Sequence, residues 1–115
     1  MVNEIKPDIV YTHFLGDQHF DHKAVAEASL IATRSVKEVY SYMSNIYDTH
    51  PKFHPNCFVD ISNFFDKKIQ LINLFESELK THSHWNNQLK YFNGLYGIKE
   101  NKKYVEPFEV LRMVR

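Results

Sequence analysis

Apolar and polar positions along the chain alternate between a two-residue and a helical period, and they mark out short strands and amphipathic helices in turn. After Pro7 the run Asp8-Ile9-Val10-Tyr11-Thr12 is β-branched and aromatic. It reads as a strand apolar enough to be buried on both faces. Gly16-Asp17 ends it. Over residues 21–34, Ala24, Val25, Ala28, Ile31 and Ala32 recur at helical spacing, and small side chains on that face would let a helix pack closely on a sheet. Residues 36–42 alternate Val36, Val39 and Tyr40 with charge, as a strand does. The stretch 45–56 holds Pro51, Pro55, His50 and His54 and reads as a loop. A short extended segment follows at 57–61. Ser62 then offers an N-cap, worth about 1 kcal/mol, to a helix with Phe64, Phe65, Ile69, Leu71, Ile72, Phe75 and Leu79 as its apolar stripe. A second helix over 85–95 should end near Gly97. Residues 104–114 close the chain as a strand, with Tyr104, Glu106, Phe108 and Val110 on one side. Pro107 has no N–H and confines that strand to an edge or a bulge.

The order β-α-β-β-α-α-β is that of an α/β fold. No repeat or low-complexity tract interrupts it. The first strand should have neighbours on both sides, yet few residues precede it. The expectation is a partial domain over residues 1–115 whose upstream strands lie outside this sequence.

Composition narrows the partners. The chain has 115 residues, 43% of them hydrophobic and 24% charged, enough for one core. Fourteen basic and fourteen acidic residues cancel. A neutral chain has no electrostatic reason to seek nucleic acid or an anionic membrane. No apolar run approaches the roughly 18 residues of a membrane span. The first six residues mix polar and apolar side chains and do not read as a signal peptide, so none is expected. The single Cys57 excludes an internal disulfide and fits a reducing cytosol, so a cytoplasmic protein is expected.

The chemistry concentrates in Gly16-Asp17-Gln18-His19-Phe20-Asp21-His22, between the first strand and the first long helix. Open α/β sheets place ligands at the carboxyl ends of their strands. Two imidazoles and two carboxylates in seven residues are the side chains that bind zinc and polarise a carbonyl. His13 at the strand end could reach this site or serve the structure. Of the other histidines, His50 and His54 are separated by prolines, and His82 and His84 fall in a helix-linking loop, so a separate metal site is not expected there. Phe64, Phe65, Phe75, Tyr91 and Phe92 read as core aromatics.

These residues carry a resemblance. The heptapeptide is similar to the pattern glycine-aspartate-x-(histidine or asparagine)-x-aspartate-histidine of the PIG-L/LmbE-like zinc-dependent N-deacetylases. Pro7-Asp8-Ile9-Val10-Tyr11-Thr12-His13 resembles the strand leading to that motif. Phe53-His54-Pro55-Asn56-Cys57-Phe58-Val59-Asp60-Ile61-Ser62 and Tyr104-Val105-Glu106-Pro107-Phe108-Glu109-Val110-Leu111-Arg112 resemble later blocks of the family in the right order. The resemblance covers nearly all of the chain and corresponds to the C-terminal half of the family domain. It implies part of a Rossmann-like three-layer sandwich, lacking the N-terminal strands. It also implies a hydrolase that removes acetyl groups from N-acetylglucosamine-type amino sugars with bound zinc.

By the same resemblance His22 is a zinc ligand, and His19 polarises the scissile carbonyl and stabilises the oxyanion. Asp21 orients or charges His19, and Asp17 and Glu106 lie near the substrate. Plainer roles stand beside these. His19 and Asp21 could cap the helix start, Asp17 could close the turn with Gly16, and Glu106 could be a solvated strand carboxylate.

The departures are specific. The family's first motif, histidine-proline-aspartate-aspartate, supplies two zinc ligands and the general base, and it does not occur here. Thr81-His82-Ser83-His84-Trp85 stands where an arginine is usual, Leu95-Tyr96-Gly97 lacks the arginine before its glycine, and Ser44-Asn45-Ile46-Tyr47 lacks a common glutamate. The isolated chain is therefore expected to be a poor hydrolase. It is expected to pair with a separate N-terminal half or with itself. The alternatives are a non-enzymatic remnant or interaction module, and a carbohydrate-binding protein that kept the pocket and lost the metal.

Overall fold

The computed structural model describes residues 1–44, 49, 51–75, 77, 80 and 83–115. His50, His82 and Leu79 lie outside the described residues. The elements run α1 (Val2–Ile5), β1 (Ile9–His13), α2 (Phe20–Ala32), β2 (Glu38–Tyr42), β3 (Cys57–Asp60), α3 (Phe65–Ile72), α4 (Trp85–Lys99) and β4 (Val105–Met113). The strands form a mixed four-stranded sheet in the order β1-β2-β4-β3. The α/β expectation holds. No helix among the described residues is long and apolar enough to cross a membrane.

Contacts divide the chain into two units, Met1–Cys57 with Phe108–Arg115, and Phe58–Pro107. In the first, β1 and β2 are parallel, with Ile9 opposite Glu38 and His13 opposite Tyr42. A parallel pair needs a crossover, and α2 supplies it. β2 pairs antiparallel with β4, Glu38 opposite Met113 and Ser41 opposite Glu109. The register slips between Val39, which faces Arg112, and Tyr40, which faces Val110, so Leu111 is an extra residue in β4.

Three expectations change here. β1 is an edge of the sheet among the described residues, the position expected of a first strand without upstream neighbours, but it is not buried on both faces: Thr12 is buried, whereas Tyr11 is 56% exposed. The ring of Tyr11 lies against Tyr40 and Phe108, at centroid distances of 5.6 and 5.3 Å. α2 turns a different face to the sheet from the one its apolar spacing indicated. Its inner stripe is His22, Ala26 and Ser29, and the Thr12 hydroxyl donates to Ser29 Oγ at 2.9 Å. Val25 and Ile31 stay 48% and 63% exposed. A hydrogen bond and one small buried residue fix the orientation, which an apolar tally cannot detect. Third, β4 is interior. Pro107 lies ahead of the segment paired with β2, so its missing N–H removes no rung of that ladder, and the bulge falls at Leu111 instead.

The second unit holds Phe65, stacked on Tyr104 at 3.8 Å, with Asn93 of α4 and Val105 of β4 both buried. Asn93 is fully buried; its amide donates to Val105 O at 2.9 Å, and its oxygen accepts from Lys68 Nζ at 3.0 Å. Here too the sequence expectation shifts. Ser62 caps no helix. Its hydroxyl donates to Asp60 Oδ1 at 2.6 Å, while α3 starts three residues later behind Phe64. α3 ends at Ile72, so the long stripe breaks up, and Phe64, Phe75 and Tyr91 are exposed. α4 runs past Gly97 to Lys99. Gly97 is needed for close approach, since a Cβ there would stand 2.7 Å from Lys102 O. The left-handed residue that closes this helix is Asn101, with φ of 56°.

Candidate metal centre

The site forms where the parallel strands β1 and β2 end. β1 stops at His13, and the Phe14 N–H crosses to Tyr42 O at 2.9 Å, which holds the two strand ends side by side. The chain then turns sharply. The Asp17 N–H donates to Phe14 O at 3.0 Å. Gly16 is required at this turn because a Cβ would meet the Phe14 ring at 2.5 Å and Pro51 O at 3.0 Å. α2 follows, with His19 as its N-cap.

Asp17 is 5% exposed and uses both oxygens. Oδ1 accepts the His19 backbone N–H at 2.9 Å, and Oδ2 faces His22 Nδ1 at 3.0 Å. Burial pushes the Asp17 carboxyl up, but the His19 N–H, His22 and the Ser44 hydroxyl together outweigh it, and the group sits below its ordinary value. It is a carboxylate at neutral pH.

Three imidazoles stack here. His22 lies between His13, at 4.1 Å and 2° from parallel, and His19, at 4.3 Å. Burial and then the neighbouring His22 lower the pKa of His13, so its ring is neutral and has a lone pair to give. His19 acts as a cap through its side chain: Nδ1 accepts the Asp21 N–H at 3.2 Å. A ring nitrogen that accepts carries no hydrogen, so the proton of neutral His19 lies on Nε2. Asp21 meets His19 through its backbone, and its carboxylate sits in the first turn of α2, where the helix dipole favours it.

One donor atom from each of His13, Asp17 and His22 can be chosen so that all three lie within 4.8 Å of one another, and the group could hold a metal ion. Two imidazole nitrogens and one carboxylate suit zinc and its d-block neighbours better than calcium or magnesium, which prefer all-oxygen shells. The donor set fits.

Sequence reasoning placed His22 on the metal and gave Asp17 a turn or pocket role; the structure joins both to His13. The structure also adds Ser44, two residues past β2. Its Oγ lies 3.0 Å from His22 Nδ1, donates to Asp17 Oδ2 at 3.2 Å, and is 3.5 Å from His13 Nδ1. The signal for Ser44 is the pairing register of β1 and β2, which spacing along the chain does not carry. Ser44, His22 and Asp17 do not make a nucleophilic relay. Such a relay needs hydroxyl and acid on opposite ring nitrogens, and both partners here address Nδ1. Glu106 belongs to the second unit, where its carboxylate accepts from Lys68 Nζ at 2.5 Å.

No family model matches the chain, and no curated protein matches it. Among solved structures it is similar to the crystal structure of the conserved protein TT1542 from Thermus thermophilus. The TM-score is 0.85 at 21% identity, over 99% of this chain and 56% of that one. At that identity the likeness shows the fold alone. The chain spans little more than half the length of that protein.

Proposed function

We propose that this chain is part of a zinc-dependent hydrolase that removes an acetyl group from an N-acetylated amino sugar, its sheet forming the C-terminal part of a Rossmann-like sandwich. The observation that carries the reading is the cluster at the carboxyl ends of two parallel strands, where His13, Asp17 and His22 converge and His19 stacks beside them. The heptapeptide that resembles the deacetylase motif supplies three of these four residues.

Zinc bound there would supply Lewis acidity toward water and an acyl oxygen. The chain's own residues do the rest. Asp17 holds His22 by the Nδ1 contact and so fixes the ring's plane. His19, capped at Nδ1, keeps its Nε2–H to donate toward the oxygen on which negative charge builds. Asp21 anchors that cap through its N–H. The proton acceptor for water would come from a segment bearing histidine-proline-aspartate-aspartate, and the products are acetate and free amine.

An amine-release assay on N-acetylglucosamine derivatives tests this, using zinc and the chain paired with such a segment. His22→Ala should abolish turnover. His19→Ala should keep the metal and lower the rate by about 10²–10³, the usual cost of one oxyanion donor. Turnover that is indifferent to both substitutions would end the reading. Sugar binding without any release would favour the carbohydrate-binding alternative.

A further inference from the structure

We propose that the outward face of α4 is a docking ridge for an anionic membrane surface. Tyr91, Leu95 and Ile98 fall at i, i+4 and i+7 of that helix, which puts them in one stripe. They are 76%, 52% and 79% exposed. The opposite side of the same helix carries Asn93 and Gly97, both buried. α4 thus rests on an amide and a glycine and turns these three large side chains out, the reverse of an ordinary surface helix. Single apolar side chains on a surface need no explanation, but three in line along about 10 Å of one helix make a ridge.

Charge chooses the occupant. Lys90 precedes Tyr91 and Lys99 follows Ile98, so each stands about 100° round the helix from the ridge, one on either flank. Both are exposed, and Lys99 Nζ lies 5.0 Å from the Tyr96 ring centroid. Lys102 and Lys103, also exposed, follow at the end of the helix, past the left-handed Asn101. Against these four lysines, residues 90–103 set Glu100 alone. The neutrality of the whole chain, which gave no reason to expect a membrane partner, hides this local excess. A second copy of the chain would bring one lysine rim against another, which opposes pairing on this face. An anionic bilayer surface offers apolar depth beneath negative headgroups. That arrangement matches an apolar ridge between lysines, whose stems follow the ridge inward while their ammonium groups stay among the phosphates. Each lysine near such a surface multiplies binding by about fivefold. Three side chains and four charges give reversible association rather than an anchor.

Co-sedimentation of the full chain with vesicles tests this. It needs neither metal nor sugar, so its outcome is independent of the hydrolase reading. The chain should pellet with vesicles made of equal parts of phosphatidylcholine and phosphatidylglycerol. It should stay in solution with phosphatidylcholine alone and without vesicles, and added salt should release it. Tyr91→Ser combined with Ile98→Ser, and separately Lys90→Glu combined with Lys99→Glu, should each lower the partition by more than about tenfold. Ile31→Ser, which removes an exposed apolar side chain of the other unit, should leave it unchanged. Ile98→Trp is the discriminating variant. It should still bind, and its added emission should shift to the blue on vesicles and be quenched by brominated acyl chains. Because this variant gains a signal, loss of folding cannot imitate success. The inference is overturned if the wild type ignores anionic vesicles, which would leave the ridge to an acidic protein partner. It is equally overturned if Ile31→Ser costs as much as the ridge variants, or if Ile98→Trp pellets with vesicles while its emission stays that of a ring in water.

Discussion

Asp17 shows how much one side chain can settle. One oxygen stiffens the turn that starts α2, and the other confronts His22 and Ser44, so the residue that shapes the backbone also charges the site. A carboxylate has two acceptors, so the turn contact and the contacts to His22 and Ser44 coexist. A second residue gives a cleaner measurement. The Tyr40 hydroxyl donates to Glu38 Oε2 at 2.7 Å, and that bond, with burial, pushes the phenol up to about 12. The folded value lies above the unfolded value of 10.0, so folded Tyr40 keeps its proton where the unfolded chain loses it. Its contribution to stability is complete below about pH 10 and is lost as pH rises toward 12. Ultraviolet titration should find one tyrosine ionising near 12, and Glu38→Gln should bring it back toward 10. A titration unchanged by Glu38→Gln would deny the bond. At this scale the sequence was informative only where partners are close along the chain. Asp17, His19 and His22 fall in one heptapeptide and were visible together. His13, at the end of β1, was named as able to reach them, whereas Ser44 meets them through the pairing of β1 with β2, which no local spacing encodes.

Elements were legible by kind and less so by face and end. Among the described residues the four strands and the three longer helices overlap the stretches where periodicity placed them, because strand and helix periods differ locally. The face of α2 was not legible, since Ser29 and Ala26 rather than Val25 and Ile31 meet the sheet. The stop of α4 was missed because Gly97 serves a close crossing and not a helix end. The joint between α4 and β4 depends on Asn93, whose buried amide binds Val105 O while its oxygen accepts from Lys68. Asn93→Ala should therefore lower the unfolding free energy by about 1–3 kcal/mol, the cost of leaving a buried carbonyl without its donor. Urea denaturation measures it. A loss below about 0.5 kcal/mol would mean that the Val105 carbonyl has another partner.

On the molecular scale, β1 is an edge strand, and Tyr11, Val25 and Ile31 of the same unit are about half exposed. An edge with apolar neighbours invites pairing with another chain. Light scattering should show apparent mass rising with concentration, and Ile31→Lys should reduce that rise; a monomer at all concentrations would contradict it. The single extra residue of β4 reaches further. Side chains of a strand alternate between faces, so Leu111 shifts everything after it by one step. That step turns Arg112 toward the end of α2, where its guanidinium donates to the carbonyls of Thr33 and Val36. α2 is a rod of about 20 Å with this cation at one tip and the imidazole stack at the other. Leu111 is thus a half-pleat spacer, and it sets the end-stop against which the histidine end of the helix is aligned.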